Sequence, residues 1–527
     1  MVAEQTSLRR RMVQGIIHCW VEGLYLLLHV RLAGYKRRQK VLAERYGLAG
    51  CQPEPYGEIT QRRIQGLAAA SQEPANFAWT SGTTHRPKQI FYPKSRIRAL
   101  QLTSVEQMAL AYQSIGVGRP AFYFLTSMMP DHSVSSLLAH EVLPKVLAEY
   151  ILPYSVVCVP EAEALGDRYS PHALHLAAML LSGPVLIAMA NPSALSVLLE
   201  NIQQDWQPLR AEITGILKEA AWFSFRQRMG PSIDDREARV RKLLALEQCP
   251  STQALFPKLR IVYCWHGGYV QPFIDTLRRQ LADIPVTFFP MFSMSTETVA
   301  YLVYPRITLQ GGLPIYPGVC YEFLPVGQPM TEANLLKPWQ LEQRRCYSMV
   351  VSDAYGLKRY HTEDAFECLG FKRHTPILRF LNRVGLNYSF TGEKITDQQL
   401  LEVYDTVRQT AEVPRVAFTC FPKLNRGGVP GYVFVCLAAN TTPRSHLSAE
   451  SFDQALMQVN EEYAGKRKSG RLAKPELVIH SYELLVTKLM RSDPRYAGAS
   501  PAQFKPLPLY PVFWENLANL QGKKGCQ

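Results

Sequence analysis

Among the 527 residues there is no C-x-x-C pair, and the eleven cysteines follow no regular spacing. A disulfide framework or a structural zinc site does not fit that pattern, and a reducing compartment does. Charge is sparse at 19% against 47% hydrophobic residues, the balance of an ordinary folded protein and not of a disordered one. Acidic residues are outnumbered 44 to 58, so the net charge is +14 and anionic partners are favoured. The basic runs Arg9-Arg10-Arg11, Lys36-Arg37-Arg38 and Lys466-Arg467-Lys468 lack the interleaved aromatics of an RNA platform. Each reads as a solvated face, and no nucleic-acid partner is expected. His172 and His175 share a helical face without a third ligand nearby, so they read as ordinary helix residues. Internal repeats and low-complexity tracts are missing as well.

A clean apolar run of membrane length is also lacking. Gly15–Leu32 comes nearest, but His18, Glu22, His29 and Arg31 interrupt it and no small-x-small cleavage site follows. Ile16, Trp20, Leu24, Leu27 and Leu28 fall at helical spacing, which predicts an amphipathic helix packed on the main domain. Contact with a membrane interface is the other reading of the same face. Stable insertion is not expected, and the chain reads as soluble and cytoplasmic.

What is present is enough chain for two domains of unequal size. Residues up to about 75 read as helical. Strand candidates at 121–125, 156–159, 185–188, 259–263 and 286–290 alternate with helices at 95–115, 193–206 and 270–281. That alternation predicts an α/β domain with a largely parallel sheet, whose ligands bind beyond the carboxyl ends of the strands. From Gly312 the texture turns to short β segments. After the helix 397–411, the strands 415–421 and 432–438, a helix over 449–464 and a strand over 476–482 predict a small α+β domain. The domain reading is 1–386, a hinge and linking helix over 387–411, and 412–527.

One stretch stands out. Thr80-Ser81-Gly82-Thr83-Thr84-His85-Arg86-Pro87-Lys88 lies between the apolar run Phe77-Ala78-Trp79 and the β-prone Gln89–Tyr92. Hydroxyls, a glycine and a closing lysine suit a polyphosphate, because backbone N–H groups cradle oxygens where glycine permits close approach. The spacing is not that of a Walker A loop. Taken alone, the stretch is as readily a surface hairpin.

Further pieces follow in order. Val185–Trp206 is a strand and helix ending in tryptophan. Phe292-Ser293-Met294-Ser295-Thr296-Glu297 carries a Ser/Thr-Glu ending, and Tyr321-Glu322-Phe323-Leu324-Pro325 is an aromatic-glutamate-aromatic strand. Tyr355-Gly356-Leu357-Lys358-Arg359-Tyr360-His361-Thr362-Glu363-Asp364 is followed by Phe380-Leu381-Asn382-Arg383 and Gly392-Glu393-Lys394. Asn460–Arg467 closes the series. Together with residues 80–88 these motifs resemble those of the Gretchen Hagen three family of acyl-acid amido synthetases, within the adenylate-forming superfamily. The resemblance spans most of residues 77–480.

The resemblance implies a large N-terminal α/β domain of adenylate-forming type with a β-rich subdomain, and a small α+β C-terminal domain. It implies ATP and Mg²⁺, a small carboxylic acid and an amino acid as substrates, and a monomer or homodimer. Thr80, Ser81, Gly82, Thr83 and Thr84 are then expected on the phosphates, with Lys88 as counter-charge, and Ser295 and Thr296 near the α-phosphate. Glu297 is expected on Mg²⁺, Asp364 on the ribose, Arg383 on ribose or phosphate, and Lys394 on phosphate after closure. Lys88, Glu297 and Lys394 are the expected catalytic residues. Phe124, Trp265, Gly267, Gly268 and Phe292 are the candidates for the acid pocket. Other readings of the same residues are a structural ion pair of Asp364 with Lys358 or Arg359, a helix first-turn acid at Glu297, and a surface lysine at Lys394. Lys466 and Lys488 gain nothing from their spacing, and Cys264 and Cys420 read as buried packing.

The sequence departs from the family pattern in three places. His85-Arg86 stands where a glycine step is expected, with Arg86 able to act as a phosphate ligand. Glu363 precedes Asp364 in place of glycine, and Lys358 replaces a tyrosine. A thioester-forming ligase, or a degenerate family member that only binds nucleotide or acyl ligand, is the alternative to amide synthesis.

Overall fold

The computed structural model describes residues 2–55, 57–73, 76–80, 88–115, 121–125, 164–228, 233–266, 270–383, 387–413, 417–424, 428–438, 447–481, 508–510 and 513–515. The strand expected at 156–159 lies outside them. The chain forms two compact units, one of residues 1–80 and 88–383 and one beginning at 384.

The first unit is built on two sheets. Strands β3 (Phe122–Phe124), β4 (Leu186–Ala188), β5 (Ile261–Cys264) and β6 (Thr287–Pro290) are parallel and lie side by side in chain order. Their side chains divide by alternation. Phe122, Leu186, Ala188, Ile261 and Tyr263 join one core, while Tyr123, Ile187, Val262 and Cys264 join the other. A strand buried on both faces needs the near-continuous apolar runs seen here, because period two sends every second residue to each side. The helices Pro171–Ser182, Ser193–Gln204 and Trp206–Ile216 supply the second core with Leu176, Leu180, Leu195, Leu198, Leu199 and Trp206, all buried. Each such side chain contributes about 1.5–3 kcal/mol over exposure. The helix expected over 193–206 stops at Gln204, and a new one starts at Trp206. His175 is an ordinary helix residue in position, with its Nδ1 2.8 Å from the Tyr123 hydroxyl in the second core.

The β-rich part is one antiparallel sheet ordered β10-β11-β12-β13-β9-β8-β7. Its strands are β7 (Ser293–Met294), β8 (Val299–Tyr304), β9 (Thr308–Leu313), β10 (Cys320–Pro325), β11 (Cys346–Ser352), β12 (Tyr360–Lys372) and β13 (Thr375–Arg383). It begins before Gly312, earlier than the texture of the sequence suggests. Gly311 and Gly312 lie where β9 is pressed between β8 and β13. A Cβ on either would collide with the Leu378 or Leu302 backbone, so no larger residue fits without moving a strand.

Helices α1 (Val2–Ala33), α2 (Tyr35–Arg45) and α3 (Glu58–Ala70) precede the hairpin β1 (Phe77–Thr80) and β2 (Lys88–Phe91) and the helix α4 (Lys94–Ile115). Here the expected α1 face needs correction. The residues that α1 buries are Ile17, Val21, Leu24, Tyr25, Leu28 and Leu32, whereas Ile16 and Leu27 are 57% and 41% exposed. The reason is that α1 is apolar on two sides, so helical spacing alone cannot say which side faces the core.

In the second unit, β16 (Ala417–Lys423) pairs antiparallel with β17 (Gly431–Ala438), which pairs in parallel with β18 (Glu476–Ser481). Helix Asp397–Thr410 opens on a capping box, in which Thr396 Oγ1 accepts from the Gln399 N–H. The single helix expected over 449–464 is two, Ala449–Val459 and Glu461–Lys468. Asn460 breaks it with extended backbone and caps the second helix, its Oδ1 accepting from the Tyr463 N–H at 2.8 Å.

Candidate active site

Residues 80 and 88 are register partners at the loop end of the β1–β2 hairpin, as the apolar and β-prone flanks require. Ser81, Gly82, Thr83, Thr84, His85 and Arg86 lie outside the described residues, as do Gly267 and Gly268.

Just beyond the hairpin the structure becomes specific. The Tyr92 hydroxyl donates to the Thr296 carbonyl at 2.8 Å. Burial pushes the Tyr92 phenol up to about 12, so it remains a donor. Four residues on, Arg96 donates to the Glu297 carbonyl at 2.7 Å and to the Phe91 carbonyl at 2.9 Å. It faces Asp353 at 3.5 Å and lies over the rings of Tyr92 and Tyr355, 4.3 and 4.6 Å from their centroids. Asp353 in turn accepts from the Tyr355 and Leu357 N–H groups. The turn between them needs Gly356, whose φ is +108° and whose Cβ would lie 2.7 Å from Ile64. Burial raises the Asp353 carboxyl above its ordinary value, against the pull of Arg96.

The Ser295–Glu297 turn joins β7 to β8, its closure a Ser295 N–H to Thr298 carbonyl bond of 2.8 Å. Glu297 is on no helix, which removes the first-turn reading. It is 2% exposed, and its Oε1 accepts from the Tyr360 hydroxyl at 3.0 Å. Tyr360 begins β12, and four residues further along that strand Asp364 is the register partner of Arg383 on β13. Thus the first unit fixes the Thr296 and Glu297 carbonyls from Tyr92 and Arg96, just past the hairpin, and ties the Glu297 carboxylate to Tyr360. It also sets Asp364 beside Arg383.

Arg359 is not the partner of Asp364. Its guanidinium holds Glu322 through two bonds of 2.8 and 3.0 Å and reaches Glu332 at 2.7 Å and the Cys51 carbonyl. Lys337 adds a third cationic contact to Glu322 at 2.5 Å. The glutamate of the Tyr-Glu-Phe strand and the arginine of the Tyr355–Asp364 signature are therefore one buried ion pair that fixes β10 against the start of β12. Asp364 stays partly exposed, its N–H on Thr362 Oγ1 at 3.2 Å.

Phe124, Trp265 and Phe292 all fall just at or past the carboxyl ends of parallel strands. Phe124 and Trp265 are partly exposed, whereas Phe292 is buried in the first core. Next to Trp265, burial and secondarily the Arg278 charge hold the His266 imidazole down to about 4, so it is neutral. Trp265 Nε1 and His266 Nε2 are buried and make no hydrogen bond among the described residues. Cys264 and Cys420 are buried in the cores, as expected.

Lys394 belongs to the second unit, at φ +48°. It follows Glu393, whose fully buried carboxylate accepts from the Phe390 N–H at 2.7 Å, the Thr391 N–H at 2.8 Å, Thr391 Oγ1 at 3.0 Å and the Tyr432 hydroxyl. The segment 387–394, read as a hinge, is a bonded turn between β14 (Asn387–Tyr388) and β15 (Ile395–Thr396). Asn460, Tyr463 and Arg467 also prove internal. Asn460 Nδ2 donates to the Glu393 carbonyl at 2.8 Å, and Tyr463 and Arg467 both bind Asp453.

Sequence reasoning missed Tyr92, Arg96, Asp353 and Glu393. Arg96 had a signal, since it is an arginine on the apolar face of α4 beside Ile97 and Leu100, a position that demands a buried partner.

A parallel sheet with an antiparallel β-rich part, followed by a separate small α+β unit, is the architecture that the sequence motifs imply. A solved structure described as AtGH3.15 acyl acid amido synthetase in complex with 2,4-DB superposes with a TM-score of 0.54, at 15% identity over 95% of this chain and 96% of that one. The family follows from the sequence models: GH3 N-terminal domain at 65–286, central domain at 313–383 and C-terminal domain at 398–510. The chain belongs to the GH3 family, the Gretchen Hagen three family of the sequence motifs. Jasmonoyl–L-amino acid synthetase GH3.5 of Oryza sativa subsp. japonica is 23% identical over 81% of this chain and 79% of its own length. The GH3 domain-containing protein of Mus musculus is 25% identical over 51% of this chain and 52% of its own. Several matches cover only 34% to 52% of the curated relative's length.

Proposed function

We propose that this protein is an ATP-dependent ligase that joins a small carboxylic acid to the amine of an amino acid through an acyl-adenylate. A carboxylate oxygen attacks the α-phosphorus of ATP and pyrophosphate leaves. The amine nitrogen then attacks the acyl carbon, AMP leaves, and the amine gives up a proton. The observation that carries this reading is the Asp364–Arg383 register pair, set four residues along one strand from the tyrosine that holds Glu297.

Attack of one anion on another is slow unless charge is neutralised and the atoms are aligned beforehand. Residues 80–84 with Lys88 and Arg86 hold the phosphates. Asp364 takes the ribose hydroxyls, and Arg383 offsets phosphate charge. Ser295 and Thr296 reach the α-phosphate from a turn that Tyr92 and Arg96 fix by its backbone. No cluster of three metal donors exists among the described residues. A lone buried carboxylate is nevertheless what a nucleotide-borne Mg²⁺ asks of a protein, since most of its ligands are phosphate and water. Glu297 would hold it, and the ion would supply charge neutralisation at the phosphates. Phe124, Trp265 and the glycines 267 and 268 border the acid, with neutral His266 and the Trp265 N–H as its polar contacts.

The test is acid-dependent exchange of pyrophosphate into ATP, followed by mass detection of amides with a panel of amino acids. Asp364→Ala should raise the KM for ATP about tenfold to a hundredfold, the value of a hydrogen bond to a charged group, with a smaller change in kcat. ATP binding without exchange for any acid would overturn the proposal. It would instead favour a nucleotide-binding protein without turnover, which His85-Arg86 in the phosphate loop makes the second reading.

A further inference from the structure

The outward side of α1 is apolar, and nothing among the described residues covers it. Ile16, Leu26, Leu27 and Val30 are 57%, 69%, 41% and 60% exposed, and Cys19 and Gly23 between them are exposed as well. At about 100° per residue these six positions occupy one sector of roughly 120°, and they run about 21 Å along the helix. The buried set from Ile17 to Leu32 occupies the opposite sector. A folded chain rarely leaves such a continuous apolar strip in water without a use for it.

Both ends of the strip are basic. Arg9-Arg10-Arg11 precede it in sequence, and Lys36, Arg37, Arg38 and Lys40 on α2 follow it, all four exposed. The acid beside the strip, Glu22, is neutralised, because the Arg306 guanidinium binds both its oxygens and holds it down to about 2. An apolar stripe bounded by cations matches the layered chemistry of an anionic membrane surface, acyl chains beneath and phosphate or carboxylate headgroups at the level of the cations. A second copy of the chain matches it poorly. With cations at both ends, parallel and antiparallel pairing of two α1 helices alike bring like charges together.

We propose that α1 and the start of α2 bind the protein reversibly to an anionic lipid surface, with the helix lying in the interface. Gly15–Ala33 is long and apolar enough to span a bilayer, with a mean hydropathy of 1.3. Spanning, however, would pull Val21, Leu28 and Leu32 out of the core and break the Glu22–Arg306 pair. Lying flat keeps the inward face packed and buries only the outward one. The binding site is thus independent of the ligase reaction.

The experiment is co-sedimentation of the full chain with phosphatidylcholine vesicles, with and without phosphatidylserine, at low and high salt. Binding is expected on the phosphatidylserine vesicles only, and it should weaken as salt rises. Leu26→Gln with Val30→Gln should weaken binding at least tenfold. Lys36, Arg37, Arg38 and Lys40 changed together to Gln should weaken it by a hundredfold or more, since each cation near such a surface is worth about fivefold. All six side chains are exposed, so unchanged thermal midpoints would certify the fold. No binding to anionic vesicles, equal binding to neutral ones, or full binding by the Leu26/Val30 variant would each overturn the proposal. So would a dimer in free solution that the Leu26/Val30 variant abolishes.

Discussion

Glu322 of the first unit and Glu393 of the second are buried carboxylates held in opposite ways, although Asp453 of the second unit is also met by a guanidinium, that of Arg467. In the first, carboxylates are met by guanidinium: Glu322 by Arg359, and Asp353 by Arg96. In the second, the fully buried Glu393 is met by neutral donors, namely two backbone N–H groups, a threonine and a tyrosine hydroxyl. An ion pair can join elements far apart in sequence, because long-range attraction tolerates some play. Glu322 and Arg359 accordingly link two motifs and, through Cys51, the N-terminal segment. A ring of neutral donors works only at hydrogen-bond distance, so it shapes one tight turn. The turn it shapes presents Lys394 in a left-handed conformation that lysine alone would not choose.

Removing Arg359 is the harshest way to probe the contrast. Arg359→Met strands Glu322 with only Lys337 nearby and should cost about 3–5 kcal/mol in denaturant unfolding, the usual result of breaking a buried pair. A loss under about 1 kcal/mol would mean that the pair is not closed in solution. Glu393→Gln comes next. Its amide turns donors toward donors and should cost about 3 kcal/mol. Because the damage is confined to the second unit, amide exchange should accelerate there while the first unit keeps its protection. Uniform acceleration would show that the two units do not unfold separately.

His266 gives the smallest effect and the sharpest pH signature, since its imidazole is largely desolvated and feels the Arg278 charge. Its folded pKa, about 4, lies below the ordinary 6.5. The unfolded chain therefore takes up the proton first as pH falls. Stability is full above about 6.5 and declines between there and about 4, by on the order of 2 kcal/mol once partial screening is allowed for. In His266→Asn that part of the decline should vanish from the pH dependence of Tm. An unchanged profile would place the imidazole in water.

Much of this was legible in the chain. The parallel strands could be read because both their faces are apolar, and the Tyr355–Asp364 signature could be read as motif. Less legible was what the motif residues do. Arg359 looked like a neighbour for Asp364 and is instead bound to Glu322, a choice made by the register of β10, β11 and β12. Asn460 sat inside a helical pattern, and only the packed structure supplies the Glu393 carbonyl that its side chain meets. Ile16 and Leu27 were assigned inward because a helix apolar on two sides carries no periodic sign of which side is covered.

The partners of the N-terminal helices lie very far along the chain. Glu22 awaits Arg306, Tyr35 awaits Pro314, Gln39 awaits Val319, and the Cys51 carbonyl awaits Arg359, separations of 279 to 308 residues. At ordinary rates of synthesis those partners emerge roughly 15–60 s later. Throughout that interval the inward side of α1 can pack only against the nearer α4, and its outward side is open to whatever is nearby. The helix is therefore the point at which a nascent chain is most exposed to a chaperone, a neighbouring ribosome's product or a bilayer. A ribosome stalled before residue 300 should carry α1 in a protease-sensitive state that one stalled well past 360 does not.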